Sequence, residues 1–337
     1  MKSESRNKER QLYSDGFETH RYEKAILNHF DASTQKTNKP MNNIIMQFLY
    51  TVLKEVTLGV IITWCTIFSS FGQNVNQENI IDSNAKPVVF IQEGVAVPND
   101  ESAPTFTPDG RAVYLADNNK ICVSKMVNGK WTKPTVVSFS GQWKDWDPTL
   151  SPDGKRLIFV SDRPLEGMSQ DKPQKNNQLW YTDRLSGDSW SAPRHFDAPV
   201  NLDGFNDYGP SISSSGTVCF CSRGRDGHKG MGGYYTKWLG DHYDKPKLLA
   251  LNGDNDIFDP FIAPDESYII FASKGSLFIS YRNGDEWSQG QKLSAQVNNG
   301  NTNGGPYVSP DGKMLYYAQD HAPGILMIPI HAHKGIR

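Results

Sequence analysis

Short apolar runs recur along the chain after residue 110, and each one follows a group of turn-forming residues. The runs lie at residues 112–115, 157–160, 218–220, 268–271 and 314–317. They are rich in β-branched and aromatic residues, which favour strands. Because the apolar residues are nearly continuous rather than alternating with polar ones, both faces of each strand are expected to be covered. The pattern predicts an all-β chain whose sheets pack face to face.

A repeated motif precedes each run and sets the period of the chain. The clearest copies of Pro-x-x-Ser-Pro-Asp-Gly lie at residues 148–154 and 306–312, and a third copy lies at 104–110. Two copies are degenerate, at residues 210–216 and 260–266. Proline presets φ, aspartate bonds its own backbone and glycine tolerates positive φ, so each copy predicts a tight turn. Five tandem copies predict a stacked or circular array.

An aromatic phrase of the type Trp-x-x-Pro follows the turns. Pro104 precedes Trp131 by 27 residues, and Pro260 precedes Trp287 by 27, so one unit holds about four short strands. The fifth unit ends without such a phrase, whereas residues 86–90 resemble the segment after Trp131. We therefore expect the strand near Val88 to complete the last sheet and close a ring. The arithmetic predicts a β-propeller of five four-stranded blades, with six blades as the alternative.

The repeats resemble the TolB-like, WD40-related propeller repeat in its Pro-Asp version. The resemblance rests on Pro-x-x-Ser-Pro-Asp-Gly-Lys at residues 148–155 and 306–313 and on the Trp-x-x-Pro phrases, and it covers residues 86–330. It implies a propeller, although members typically have six blades and the count here is five. Family members include periplasmic binding modules and stand-alone secreted proteins. The motif is specific for fold but not for function.

The first 85 residues are expected to lie outside the propeller domain, which is predicted over residues 86–337. Residues 1–40 are polar and are predicted to be a disordered extension or to lie upstream of a true start at Met41 or Met46. Residues 41–72 contain the uncharged run 56–71, which suits the core of a secretory signal, with a membrane anchor as the alternative. Residues 73–85 are predicted to be a linker. These segments predict a periplasmic or secreted protein.

Composition excludes several classes of function. A net charge of −2 gives no electrostatic case for nucleic-acid binding, and four cysteines in 337 residues are too few for a disulfide scaffold. Cys219 and Cys221 are expected to be small buried core residues, because no second pair of metal ligands accompanies them. The chain has no Gly-x-Ser-x-Gly elbow and no phosphate-binding glycine loop. We predict no metal and no cofactor, and we expect a monomer.

The candidate site follows from the topology that the resemblance implies. Residues just before each repeat proline should ring the mouth of the central channel, on the face opposite the Pro-Asp-Gly turns. Loops after the second strand of each blade should add arginines there. The predicted ligand-binding residues are Asp145, Trp146, Asp147, Arg163, Asp207, Tyr208, Arg223, Phe258 and Asp259. Aromatic rings beside carboxylates suit sugars or peptides. Alternatively, the acids end strands and the rings pack between blades.

Three functions are compatible with this site. The first is an extracytoplasmic module that binds an envelope protein, peptide or glycan in a funnel at the channel mouth. The second is a glycan-active enzyme, since glycosidases need two carboxylates about 5–9 Å apart; Asp147 with Asp207 is the candidate catalytic pair. The third is a purely structural interaction module in an envelope complex. A deep pocket between facing carboxylates would favour catalysis, and a shallow mouth would favour binding.

Overall fold

The computed structural model describes residues 80–82, 84–92, 95–96, 104–253 and 256–331. These residues belong to a compact unit that spans residues 78–337. The predictions for residues 1–72, and most of the predicted linker, lie outside the described residues. Among the residues that are described, no helix has the length and apolarity needed to cross a bilayer. One short 3-10 helix, Arg225–Gly227, interrupts an otherwise all-β structure.

Five antiparallel blades form the described domain. Blade 1 contains β4 (Thr105–Phe106), β5 (Ala112–Asp117) and β6 (Lys120–Val127), with β7 (Lys130–Trp131) and β8 (Thr135–Val136) both paired to β6. Blade 2 contains β9 (Asp145–Leu150), β10 (Arg156–Ser161), β11 (Gln178–Asp183) and β12 (Arg194–His195). Blade 3 contains β13 (Asp207–Ile212), β14 (Val218–Arg223), β15 (Met231–Thr236) and β16 (Lys247–Leu248).

The two remaining blades follow the same order. Blade 4 contains β17 (Phe258–Ile262), β18 (Tyr268–Ser273) and β19 (Ser276–Asn283), with β20 (Glu286–Trp287) and β21 (Gln291–Lys292) paired to β19. Blade 5 contains β22 (Asn303–Val308), β23 (Met314–Gln319), β24 (Leu326–Pro329) and, as its outer strand, β1 (Val88–Val89). A small hairpin of β2 (Ile91–Gln92) and β3 (Val95–Ala96) lies outside the blades. The prediction of a five-bladed propeller is confirmed.

The N-terminal strand closes the ring, as predicted. Val88 of β1 lies opposite Met327 of β24, and Val89 lies opposite Leu326. Earlier residues also dock on blade 5: Ile81 bridges to Ile330, and both Ile80 and Ile81 are buried. Residues before Lys86 therefore also pack on the propeller, because Ile80 and Ile81 join the core around blades 4 and 5.

The continuous apolar runs are explained by packing between neighbouring blades. In β10, Ile158 and Val160 join the core shared with blade 3, whereas Leu157 and Phe159 join the core shared with blade 1. All four side chains have no exposed surface. Successive residues of a strand point to opposite faces, so a sheet held between two others needs apolar residues at consecutive positions.

The degenerate turn of blade 4 supplies a carboxylate to the degenerate turn of blade 3. A regular copy keeps an aspartate in the turn, and Asp153 accepts bonds from the Ser151 hydroxyl and the Lys155 amide. Blade 3 has serines instead, and blade 4 has Glu266 where the other copies have glycine. The Glu266 carboxylate accepts hydrogen bonds from the hydroxyls of Ser213 at 2.9 Å and Ser215 at 2.5 Å. One carboxylate therefore serves the turn that lost its own aspartate.

Candidate functional site

Each repeat proline from blade 2 to blade 5 follows a residue with left-handed backbone, and this places a bulge at the channel wall. The φ angles are 48° at Asp147, 53° at Gly209, 47° at Asp259 and 51° at Gly305. The register of the inner strand with its neighbour shifts at each of these points. Glycine adopts this region freely, and aspartate does so more readily than most residues. The residue before each of these prolines is therefore Asp or Gly because the bulge requires a positive φ there.

The two bulge aspartates connect neighbouring blades around the channel. An Asp147 carboxylate oxygen accepts a hydrogen bond from the Gly209 amide at 3.0 Å, and an Asp259 oxygen accepts one from the Gly305 amide at 3.0 Å. A Cβ on Gly209 would lie 2.6 Å from an Asp259 oxygen. The two acids thus pack against the glycines of adjacent blades, and their positions are part of the ring's construction.

The channel that these residues line is narrow. Asp147, Gly209, Asp259 and Gly305 lie on its wall, together with the prolines that follow them and Tyr307. The cavity volume is about 50 Å³, which has room for a few water molecules but falls well below the roughly 300 Å³ of a small-ligand pocket. Asp147 and Asp259 are the predicted residues that meet here.

Asp145 and Asp207 occupy equivalent positions in blades 2 and 3, and both are buried beside the channel wall rather than lining the cavity. Asp145 accepts hydrogen bonds from Ser140 at 2.7 Å, Ser161 at 2.6 Å and the Arg163 guanidinium at 2.7 Å. Arg163, also predicted for the site, is itself buried and lies over the ring of Phe159. These bonds between Asp145, Ser140, Ser161 and Arg163 stabilise the end of blade 2 nearest the channel mouth.

The Asp207 carboxylate has weaker hydrogen bonding than that of Asp145. Its equivalents of Ser161 and Arg163 are Ser222 and Arg225, but the nearest guanidinium nitrogen of Arg225 is 3.8 Å from the carboxylate. Arg225 instead donates to the carbonyls of Val200, at 2.6 Å, and Pro199. Within the described residues, neither Asp207 oxygen accepts a hydrogen bond of normal geometry. Burial raises the pKa of Asp207 to about 6, and the nearby Ser222 and Arg225 offset only part of this rise.

The predicted aromatic residues are partly buried. Trp146 and Tyr208 pack against the core between blades 2 and 3, and the Tyr208 hydroxyl accepts a hydrogen bond from Asn177 at 3.2 Å. Phe258 packs against the core of blades 4 and 5 but also reaches a cavity. Arg223, at the end of β14, is exposed. Packing between blades thus covers part of the Trp146 and Tyr208 rings.

A cleft of about 250 Å³ opens between blades 4 and 5 on the same face as the channel mouth. Phe258 and Asp259 line it, with Thr302 and Asp320 exposed at its edge. Its floor is an amide network: Gln319 donates to Asn303 at 2.8 Å, and its oxygen accepts hydrogen bonds from the loop before β22. Sequence analysis missed Thr302 and Asp320 because neither belongs to a repeated motif.

In the described structure, possible metal ligands lie apart from one another and the thiols are buried. No group of three or more His, Cys, Asp or Glu side chains comes together there in a way that could hold a metal ion. Cys219 and Cys221 are buried on β14 and unbridged, and burial raises the pKa of the Cys221 thiol well above its ordinary value. A thiol with a raised pKa is a poor nucleophile and a poor ligand at neutral pH.

Comparison with known proteins gives neighbours in structure only. No protein-family model matches the chain, and no curated protein matches it. A protein assigned as TolB from Agrobacterium tumefaciens is 19% identical over 64% of this chain and 68% of that chain, with a TM-score of 0.44. TolB from Acinetobacter baumannii is 17% identical over 68% of this chain and 55% of that chain, with a TM-score of 0.42.

A thermostable family-43 glycoside hydrolase is also similar, at 15% identity over 71% of this chain and 93% of that chain, with a TM-score of 0.48. TolB proteins and a glycoside hydrolase thus occur together among the structural neighbours. The propeller assignment stands on the strand pairing of this chain, and the TolB-like family remains a resemblance.

Proposed function

We propose that this protein is an extracytoplasmic binding module that captures a protein, peptide or glycan partner at the channel mouth without turnover. The observation that carries the proposal is the bonding of the mouth carboxylates. Asp147 and Asp259 each accept a hydrogen bond from the adjacent blade, and Asp145 accepts three hydrogen bonds in a buried ion pair. Asp147 and Asp259 therefore join neighbouring blades around a cavity of about 50 Å³, whereas a glycosidase needs a sugar-sized space between its two carboxylates.

The cleft between blades 4 and 5 supplies the chemistry for recognition. Its exposed groups at the edge are the Asp320 carboxylate and the Thr302 hydroxyl, beside the ring of Phe258. Carboxylates accept hydrogen bonds and do not donate them, so the inserted group should be rich in donors, such as an ammonium or a sugar hydroxyl. A volume of about 250 Å³ suits one side chain or one sugar unit of a larger partner.

The experiment is a binding screen of the full chain against immobilised peptides, glycans and peptidoglycan fragments, followed by titration of each positive ligand. Phe258→Ala and Asp320→Asn should each weaken binding by roughly tenfold. Asp320→Asn should keep the melting temperature of the wild type, whereas Phe258→Ala should also lower it, because the ring packs against the core of blades 4 and 5. The control is Val127→Ala, an exposed apolar residue of blade 1. Equal binding by all variants would contradict the proposed surface. Failure of every ligand to bind would favour the purely structural module.

The enzyme alternative is supported by one observation. A carboxyl group with a pKa of about 6, as for Asp207, suits a general acid. Its side chain is fully buried, however, and does not line the channel cavity. Assays of the full chain on glycoside substrates decide the matter: turnover that is lost in Asp147→Asn or Asp207→Asn would replace binding with catalysis as the function.

The extracytoplasmic location is part of this proposal and rests on the apolar segment within residues 41–72. Cell fractionation, with mass determination of the mature N-terminus, tests it. A full-length chain recovered in the cytoplasm would refute it.

A further inference from the structure

A cavity of about 590 Å³ opens between blades 2 and 3 on the face that carries the Pro-Asp-Gly turns, opposite the channel mouth. It is an order of magnitude larger than the channel cavity of about 50 Å³. The turn after β9 and the turn after β13 form its floor, and Trp238 and Tyr243 form one wall. Its volume lies within the range of about 300–1,000 Å³ that is typical of small-ligand sites.

Trp238 departs from the pattern of the other blades. The outer hairpin of each of blades 1 to 4 pairs an aromatic residue with a partner across the turn. In blade 1 Met126 lies opposite Trp131. In blade 2 Arg184 lies opposite Trp190, and in blade 4 Arg282 lies opposite Trp287. In blade 3 the partner of Tyr243 is Trp238, which is 40% exposed. Because flexible side chains close the other hairpins, folding does not require a tryptophan here.

The Trp238 ring is held in place before any ligand arrives. Its centroid lies 5.0 Å from that of Tyr243 at an interplanar angle of 60°, and Tyr243 is anchored on Phe196 at 5.6 Å. On the other side, a Cβ on Gly216 would lie 3.1 Å from the Trp238 Cβ, so the glycine makes room for the close approach. A rigid exposed ring loses little entropy when a ligand stacks on it.

The cationic side chains around this cavity already have partners: Arg156 and Lys155 contact carboxylates, and Arg184 bonds to backbone carbonyls. Arg156 contacts Asp183 at 2.7 Å, and Lys155 contacts Asp153 at 3.4 Å. The Arg184 guanidinium donates to the carbonyls of Gly154 and Gly187, each at 2.8 Å. A carboxylate ligand would compete with Asp183 for Arg156 and with the Gly154 carbonyl for Arg184. A neutral ligand rich in hydroxyls could add hydrogen bonds to the same groups without disturbing them.

We propose that this groove, defined by Trp238, Tyr243 and the turns at residues 151–156 and 213–216, binds a neutral oligosaccharide. The apolar face of one sugar ring stacks on the indole of Trp238. The ring hydroxyls then bond to the paired ions and to the Ser214 hydroxyl on the cavity floor. The site is separate from the channel mouth, and its occupation does not depend on the binding function proposed there.

The experiment titrates the full chain with cellohexaose, xylohexaose, maltohexaose and chitohexaose, followed by tryptophan fluorescence and isothermal titration calorimetry. Polygalacturonic acid serves as the charged probe. Trp238→Arg installs the residue type that blades 2 and 4 use, so it should fold normally, and Trp238→Ala removes the ring. Val127→Ala is the matched control, because Val127 follows Met126 in blade 1 as Leu239 follows Trp238 in blade 3.

We expect at least one neutral probe to bind, with affinity that changes little between low and high salt. Both Trp238 variants should weaken this binding by roughly tenfold or more, while Val127→Ala should not. The channel-mouth variant Phe258→Ala should also leave it unchanged, which separates this site from the one proposed above. The inference is overturned if no neutral probe binds at millimolar concentration, if only the charged probe binds, or if the Trp238 variants bind as the wild type does.

Discussion

Asp145 and Asp207 occupy equivalent positions in blades 2 and 3, so the contribution of each buried carboxylate to stability can be compared within one fold. Asp145→Asn removes the negative charge of a buried ion pair and leaves Arg163 without its charge partner at 2.7 Å. Breaking a pair of this kind typically costs about 3–5 kcal/mol. Asp207→Asn removes a buried charge that accepts no hydrogen bond of normal geometry within the described structure. We therefore expect the first change to destabilise the protein strongly and the second to leave it as stable or more stable at pH 7.

The magnitude for Asp207 follows from its pKa. Burial raises this pKa from 3.8 to about 6 in the folded protein, and one pKa unit corresponds to about 1.4 kcal/mol. Between these two values the folded state keeps a proton that the unfolded state has lost. The free energy of unfolding therefore falls by about 3 kcal/mol as the pH rises from about 4 to above 6. In Asp207→Asn this contribution is absent.

The assay is chemical denaturation of the wild type and both variants, from pH 4 to pH 8, followed by tryptophan fluorescence. The difference in stability between wild type and Asp207→Asn should shift in favour of the variant as the pH rises through this window. Two results would refute the reasoning. One is a loss for Asp207→Asn at pH 7 as large as that for Asp145→Asn, and the other is a difference that stays constant with pH.

Three further predictions concern how the blades are joined. Glu266→Ala should cost about 1–2 kcal/mol at pH 7, and denaturation at successively lower pH should show this cost shrinking as the pH falls through the lowered pKa of the carboxyl group. The reason is that hydroxyl hydrogen bonds outweigh the effect of burial and hold the pKa of this group below its ordinary 4.5, so its stabilisation is lost as the pH falls. Gly209→Ala, whose Cβ would meet Asp259 at 2.6 Å, should lower the melting temperature more than Gly284→Ala, where nothing lies within 4 Å although φ is also positive. Phe90→Ala should cost about 3–5 kcal/mol in a urea titration, because this buried ring follows the strand that closes the propeller; a loss below about 1 kcal/mol would show that closure contributes little.

Much of the fold could be predicted because its determinants are local. The turn at residues 151–154 carries its own bonding pattern in Ser151 and Asp153, and the run 157–160 carries the apolar residues for both faces of a central strand. Even the closing strand was predictable, because residues 86–90 repeat a phrase found after Trp131. The compensation between Glu266 and Ser215 was not predictable, since the two residues are 51 positions apart and belong to different blades.

The candidate site was predicted less completely. Spacing from the repeat prolines placed Asp147 and Asp259 near the channel, and both line one cavity in the structure. It could not show that their carboxylates bond to glycine amides of the neighbouring blades, or that Trp146 and Tyr208 lose much of their surface to the core. The groove at Trp238 lies on the other face and is formed by segments from two blades, so no single repeat indicates it.

The sequence by itself determined the blade, the number of blades and the way the ring closes, because turn chemistry and strand patterning act over a few residues and then repeat. Only the tertiary structure decided what each repeated acid does. Asp145 and Asp207 hold the same place in their repeats, yet one has an arginine at 2.7 Å and the other has one at 3.8 Å. The difference arises because Arg225 bonds instead to carbonyls more than twenty residues away in the chain. The partner that a buried arginine takes depends on segments distant in the chain, and a local sequence pattern does not contain that information.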